Sequence, residues 1–131
     1  MQGWRAVLLV AFGSAVGGAL RMLLVSFTNA RVPAESFPLG VLLVNVIGSF
    51  VFGVAIRYGV GSGAMSDSTR LLITTGLCGG FTTFSAFSMD IVEGLESGRS
   101  SMVTTYVFLS LVLGVGAMLM GMSVGKILTR Q

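Results

Sequence analysis

Three phenylalanines recur at three-residue intervals, at Phe81, Phe84 and Phe87, and two serines, Ser85 and Ser88, lie among them. A phenyl ring has a negative face and a positive edge, so rings that are turned edge-on can stabilise an anion that has lost its water. The serine hydroxyls add hydrogen-bond donors. The pattern predicts a path for a small dehydrated anion, although a phenylalanine stripe on a membrane helix is also typical of plain packing.

Polar side chains in two other segments could continue this path. Asn45 shares a helical face with Ser49 and Gly53, at i, i+4 and i+8. Its amide either joins two helices, a contact of about 1 kcal/mol, or donates a hydrogen bond to an ion in transit. Tyr106 and Ser110 lie one helical turn apart, but Tyr106 is also close to the end of an apolar segment, where aromatic residues are usual.

Arg21 is a basic residue inside an apolar segment. It lies six residues from the end of that segment, about 9 Å by helical rise, so its side chain can reach the membrane interface. Arg21 is therefore either an interface anchor or part of a positive vestibule that attracts anions.

The composition decides which classes of protein can carry such residues. Of the 131 residues, 53% are hydrophobic and 10% are charged, and the mean hydropathy is +0.92. A chain this small and apolar is no water-soluble enzyme. It has no His and one Cys, which excludes internal disulfides and nearly all His/Cys metal sites. A net charge of +3 is too small to indicate nucleic-acid binding. Since no nucleophile and base are paired, we expect no enzyme.

Four apolar windows of 22 or 23 residues are long enough to cross a bilayer as helices. Ten of the thirteen charges lie outside them, as the cost of a charge in lipid requires. The sequence therefore predicts an all-α integral membrane protein with one membrane domain over residues 1–131 and four transmembrane helices. The predicted spans are 6–27, 39–60, 71–92 and 103–125. The first is longer than the core of a signal peptide, which favours a retained helix.

The third window contains the paired glycines Gly79 and Gly80 near its midpoint. Each weakens a helix by about 1 kcal/mol relative to alanine. They predict a broken third helix, whose freed backbone must be satisfied by protein or must line a cavity. Broken membrane helices place carbonyls and half-helix ends at ion sites. A close helix crossing at the two glycines is the alternative.

The basic residues give a weak topology signal. Five lie on the side of the termini and three on the opposite side, whereas a fixed orientation needs a clear excess. Charge alone favours an ordinary protein with its termini inside. The alternative is a chain that inserts either way up, or that pairs with an inverted partner.

Taken in order, these features resemble the Fluc or CrcB family of small fluoride channels, over essentially the whole chain. The matching segments are residues 17–21, 40–53 and 79–88. The third, Gly-Gly-Phe-Thr-Thr-Phe-Ser-Ala-Phe-Ser, is long and highly specific.

The resemblance implies an antiparallel, dual-topology dimer with two pores that passively exports fluoride across the cytoplasmic membrane as a multi-pass protein. It also implies a structural Na⁺ at the dimer interface, held by the backbone carbonyls of Gly79 and Thr82 from each subunit. Arg21 would line the vestibule. The implied pore residues are Phe84, Phe87, Asn45, Ser85, Ser88, Tyr106 and Ser110.

The chain departs from the family pattern at three positions. Val41 and Asp90 stand where the family often has Thr and Glu, and Gly114 stands in place of a second Ser on the fourth helix. A degenerate polar track is what a non-conducting subunit of a paired heterodimer would have. Two further alternatives are a small multidrug-type proton-coupled exporter and a non-transporting assembly subunit. The exporter needs a carboxylate within the membrane, and Asp90 lies at a span end.

Overall fold

The computed structural model describes residues 3–63 and 65–130, and this part of the chain contains helices and no strand. Four stretches are long and apolar enough to cross a membrane: Gly3–Asn29, Leu39–Gly59, Asp67–Glu96 and Ser100–Leu128. The prediction of an all-helical protein with four stretches long and apolar enough to cross a membrane is therefore confirmed. The helices are α1 (Gly3–Asn29), α2 (Leu39–Ser62), α3 (Asp67–Leu71), a π-helix (Leu72–Cys78), α4 (Gly79–Phe81), α5 (Phe84–Glu96) and α6 (Ser100–Leu128).

The ends of the helices follow from local residue chemistry. Pro38 immediately precedes α2, where its missing N–H costs no helical hydrogen bond. Gly63 follows α2 with a φ of 62°, and this left-handed conformation is the usual glycine stop for a helix. Gly98 adopts a φ of 72° in the turn between α5 and α6. The connections are short, so consecutive crossings run antiparallel to one another.

Glycines bring α1 into backbone contact with the first half of the third crossing. A Cβ at Gly17 would overlap the carbonyl oxygen of Leu77, and a Cβ at Gly80 would lie 2.6 Å from the Cα of Ser14. The Ser14 hydroxyl donates a hydrogen bond to the Gly76 carbonyl at 3.3 Å. Small residues allow such close approach in membrane proteins, where packing and hydrogen bonds hold helices together.

A second close contact joins α2 to α6. A Cβ at Gly121 would overlap the carbonyl oxygen of Phe50, and a Cβ at Gly53 would overlap that of Met118. Val44, further toward the start of α2, is completely buried. The outer faces of α1 and α6 remain largely exposed in the single chain, so lipid or another subunit must cover them.

The Gly121 contact leads to a stability prediction. We expect Gly121→Ala to destabilise the protein by about 1–3 kcal/mol, because the added methyl forces α2 and α6 apart. Gly116, on the same helix, has open space at its Cβ position, so Gly116→Ala is the matched control and should leave stability unchanged or slightly raised. Thermal unfolding of the detergent-solubilised protein measures both. Equal melting temperatures for the two variants would contradict the prediction.

The third crossing is broken, but not at Gly79-Gly80 as predicted. Those glycines lie in α4, and the interruption falls at Thr82 and Thr83, whose backbones are extended with ψ values of 158° and 118°. Gly80 instead serves the close packing against α1. The break falls where side chains can satisfy the freed backbone. It also separates Phe81 from Phe84, so the three phenylalanines form no single stripe.

Candidate ion pathway

Asn45 of α2 forms hydrogen bonds with both backbone polar groups of Thr83, at the break in the third crossing. Its Nδ2 donates to the carbonyl of Thr83 at 3.1 Å, and its Oδ1 accepts from the amide of Thr83 at 2.8 Å. Backbone groups freed inside a membrane need such partners. One of the two amide protons of Asn45 is thus engaged by the backbone, which leaves one N–H for another acceptor.

The two threonines complete the local structure of the break. The Thr83 hydroxyl accepts from the amide of Ala86 at 3.1 Å and so caps the N-terminus of α5. The Thr82 hydroxyl donates to the carbonyl of Cys78 at 2.9 Å. These bonds explain why the helix can stop and restart within two residues.

The structure places Arg21 at the break. Its Nη1 donates to the carbonyl of Thr82 at 3.3 Å, and the side chain is partly buried. A guanidinium is always charged, so Arg21 brings a fixed positive charge to the point where the third crossing is interrupted.

A cavity of about 270 Å³ lies beside the break, and we call it the Phe cavity. The rings of Phe84 and Phe87 form part of its wall, with centroids 5.8 Å apart and planes inclined at 42°. Phe84 remains 79% exposed in the single chain. The other lining residues are Asn45, Ser49, Thr82, Thr83, Ser110, Leu111 and Gly114.

The hydroxyl of Ser110 is a polar group of a residue that lines the Phe cavity. Its Oγ is buried, and it has no hydrogen-bond partner in the part of the chain that the structure describes. A buried hydroxyl without a partner costs about 1–3 kcal/mol. A hydroxyl that lines a cavity is available to bind a water or an ion there.

The structure does not bring Ser85 and Ser88 into this cavity. The Ser85 hydroxyl is 3.2 Å from that of Thr83. The Ser88 hydroxyl donates to the carbonyl of Phe84 at 2.9 Å, one turn back on its own helix. Of the pore residues that the sequence indicated, Asn45, Phe84, Phe87 and Ser110 line one cavity.

Tyr106 packs against Phe87 and does not itself line the Phe cavity. It is completely buried, and its hydroxyl donates to Oδ2 of Asp90 at 2.9 Å. Its ring lies 5.3 Å from that of Phe87 and 5.7 Å, edge to face, from that of Phe37. These contacts join Phe37 and Asp90 through Tyr106 to Phe87, which lines the Phe cavity.

The carbonyls of Gly79 and Thr82 suit a hard monovalent cation, which prefers oxygen ligands. In an unbroken helix the Thr83 amide would bond to the Gly79 carbonyl, whereas here it donates to Asn45. The Thr82 carbonyl accepts from Arg21 and keeps a second lone pair. Both residues also line a cavity of about 170 Å³. Among the described residues, no group of three or more His, Cys, Asp or Glu side chains could hold a metal.

Sequence reasoning did not assign Thr83, Ser49 or Phe37 to the pathway. The sequence did place Ser49 on the same helical face as Asn45, one turn later, but gave it no role of its own. Phe37 gives no such signal, since only the tertiary structure places this loop residue on Tyr106.

Comparison with known proteins gives consistent matches along most of the chain. A family model described as "CrcB-like protein, Camphor Resistance (CrcB)" matches residues 8–122. A protein of Granulibacter bethesdensis named "Fluoride-specific ion channel FluC" is 37% identical over 123 residues, which are 94% of this chain and 96% of that protein. Proteins of the same name from Agrobacterium fabrum and Roseiflexus sp. are 38% and 40% identical, over 92% and 93% of this chain and 95% and 98% of their own lengths.

Proposed function

The chain belongs to the CrcB-like protein family, and from that premise we propose that it is a fluoride-selective ion channel that lets fluoride leave the cell passively across the cytoplasmic membrane. Three relatives that match this chain over nearly their whole length carry the name of a fluoride-specific ion channel. The four apolar crossings provide the membrane setting that such a channel needs.

The observation that carries the proposal is the Phe cavity with its unpartnered Ser110 hydroxyl. A fluoride ion that sheds water needs hydrogen-bond donors, and Ser110 together with the remaining N–H of Asn45 can supply two. The edges of Phe84 and Phe87 are weakly positive and offer no lone pairs that would attract cations. Several such weak contacts, rather than one deep site, let an ion both enter and leave.

The broken helix adds a favourable field for an anion. Helix α5 begins at Phe84 in the wall of the cavity, and the N-terminal end of a helix is equivalent to a partial positive charge. Arg21 adds a full positive charge on the Thr82 side of the break. In this proposal Arg21 acts close to the break and attracts the anion toward the Phe cavity from there.

We propose further that two copies of the chain assemble antiparallel and complete two pathways. Phe84 is 79% exposed although it lines the cavity, so a second chain is needed to enclose the ring. The weak bias of basic residues supports insertion in both orientations. A paired, non-identical subunit remains the alternative partner.

The proposal includes a structural Na⁺ between the two subunits, coordinated by the Gly79 and Thr82 carbonyls of each. The ion would supply a fixed positive charge at the interface. Within this chain, Asn45 turns the Thr83 amide away from the Gly79 carbonyl, and Arg21 orients the Thr82 carbonyl. Asn45 therefore frees the Gly79 oxygen for a cation, and the Thr82 oxygen keeps one lone pair for it, although the charge of Arg21 opposes the ion there.

The lining of the Phe cavity supports a channel over a proton-coupled exporter, because it contains no carboxylate. Asp90 lies beyond Tyr106 and is hydrogen-bonded to it. Gly114 lines the cavity at the position where the family pattern has a serine. The cavity therefore lacks one hydroxyl, as a non-conducting subunit of a heterodimer would. An efflux measurement on this chain alone distinguishes the two cases.

Fluoride efflux from proteoliposomes that contain only this chain tests the proposal. We expect rapid efflux down a fluoride gradient, recorded with a fluoride electrode, once a potassium ionophore removes the opposing voltage. Chloride-loaded vesicles should release little chloride under the same conditions. Efflux equal to that of protein-free vesicles would contradict the function or, if a second chain restores it, identify a paired heterodimer.

A further inference from the structure

A second, smaller cavity lies at the end of the bundle where α5 ends and α6 begins. It has a volume of about 70 Å³, which is enough for a small ion with one or two waters. We call it the Arg99 cavity. Its lining residues are Ala34, Glu35, Pro38, Asp90, Glu93, Arg99 and Met102.

Arg99 lines this cavity and has an unused hydrogen-bond donor. Its Nη1 is buried, and it has no hydrogen-bond partner within the described part of the chain. In residues 3–63 and 65–130 the one ion pair within 4.0 Å joins Arg70 to Asp67, so none of the three carboxylates that line the cavity, Glu35, Asp90 and Glu93, pairs with Arg99. Both glutamates are exposed. A buried charged donor without a partner is costly, which favours an occupant that accepts its hydrogen bond.

The Arg99 cavity adjoins the proposed pathway. Asp90 lines it and also accepts the hydrogen bond of Tyr106. The ring of Tyr106 packs 5.3 Å from that of Phe87, which lines the Phe cavity. Tyr106 and Asp90 therefore link the walls of the Phe cavity and the Arg99 cavity.

We propose that the Arg99 cavity is an anion-binding site at the loop-side mouth of the pathway, where fluoride accepts a hydrogen bond from Nη1 of Arg99. This inference rests on the proposed function, because the pathway supplies the ion. The negative charges of Glu35, Asp90 and Glu93 oppose tight binding, and a mouth must hold an ion weakly enough to release it. Arg99 concentrates fluoride there, while the carboxylates keep its residence short.

Replacing Arg99 tests this site. We expect Arg99→Gln to raise the fluoride concentration at which single-channel conductance is half-maximal by about tenfold, since a hydrogen bond from a charged donor is lost. The maximal conductance should fall less than about twofold. Arg31→Gln is the matched control, because Arg31 is an exposed arginine in the same end region and its loss removes the same charge. Equal half-saturation in Arg99→Gln and Arg31→Gln would overturn the proposal.

A second variant, which removes a negative charge, tests the site even if Arg99→Gln does not fold. Glu93 is exposed, so Glu93→Gln should fold normally and remove a repulsive charge from the same cavity. We expect the half-saturating fluoride concentration to fall by about twofold to threefold. An unchanged or higher value would count against an anion at this site.

A binding measurement separates failure of this site from failure of the channel function. Fluoride, added at constant sodium concentration, should raise the melting temperature of the purified protein, and Arg99→Gln should lose part of that rise while Arg31→Gln keeps it. If the unaltered chain conducts no fluoride but shows this Arg99-dependent rise, the channel function fails and the site stands. If it conducts and Arg99→Gln loses none of the rise, the site fails alone.

Discussion

Replacement of Asn45 by leucine is expected to abolish fluoride efflux and to lower stability. The variant removes both bonds that hold Thr83, at 3.1 and 2.8 Å. Each backbone group left unsatisfied costs roughly 1–3 kcal/mol, and no water replaces the partner inside a membrane. We expect the break to collapse, so that efflux falls to that of protein-free vesicles. Thermal unfolding and proteoliposome efflux measure the two effects.

Ser49→Ala provides the control for Asn45→Leu. Ser49 lies on the same helix and lines the same cavity, but it makes no bond to Thr83. We expect normal stability and an efflux within about threefold of the unaltered chain, as for loss of one neutral hydroxyl. An Asn45→Leu variant that melts and conducts like Ser49→Ala would show that the break does not depend on the amide of Asn45.

Replacement of Phe84 or Phe87 by isoleucine is expected to reduce fluoride efflux steeply while assembly stays normal. Isoleucine keeps an apolar side chain of considerable bulk but lacks the positive ring edge. Edge-to-face pairs of aromatic rings are worth about 0.5–1.5 kcal/mol. The attraction between a ring edge and a desolvated anion is stronger, because the anion carries a full charge in a low-dielectric cavity. We therefore expect about a tenfold or larger loss for each ring, measured as the initial efflux rate.

Phe108→Ile is the matched control for the ring variants. Phe108 lies on α6, is 63% exposed, and does not line the Phe cavity. Its replacement should leave efflux unchanged. Size-exclusion chromatography in detergent checks that all three variants assemble alike. Unchanged efflux in both Phe84→Ile and Phe87→Ile would refute the role of the rings.

The membrane architecture could be predicted because the cost of burying charge acts locally along the sequence. Ten of the thirteen charges lie outside the four apolar windows, and each window became one crossing. A contact of Asn45 with another helix could also be predicted, since an amide in an apolar helix needs a partner. Its partner, the backbone of Thr83, could not be named, because it lies 38 residues away.

The position of the break could not be predicted, because two glycines have two physical uses. At Gly80 the missing Cβ allows α1 to approach, and the helix continues. The break instead falls at Thr82 and Thr83, where Asn45 bonds the freed backbone groups of Thr83. Ser88 shows a similar limit, since a hydroxyl on a helix can bond either to its own backbone or to a ligand. The pairing of Tyr106 with Asp90 depends on how α5 and α6 pack, and the sequence pattern does not specify that.

The π-helix at Leu72–Cys78 matters for insertions and deletions. A π-helix closes each hydrogen bond one residue later than an α-helix, so this stretch contains surplus chain length. Loss of one residue there can be absorbed by tightening to α-helical geometry, with the glycines facing α1 kept in register. The same loss from α2 between Asn45 and Gly53 would turn everything after it by about 100° and rotate Gly53 away from α6.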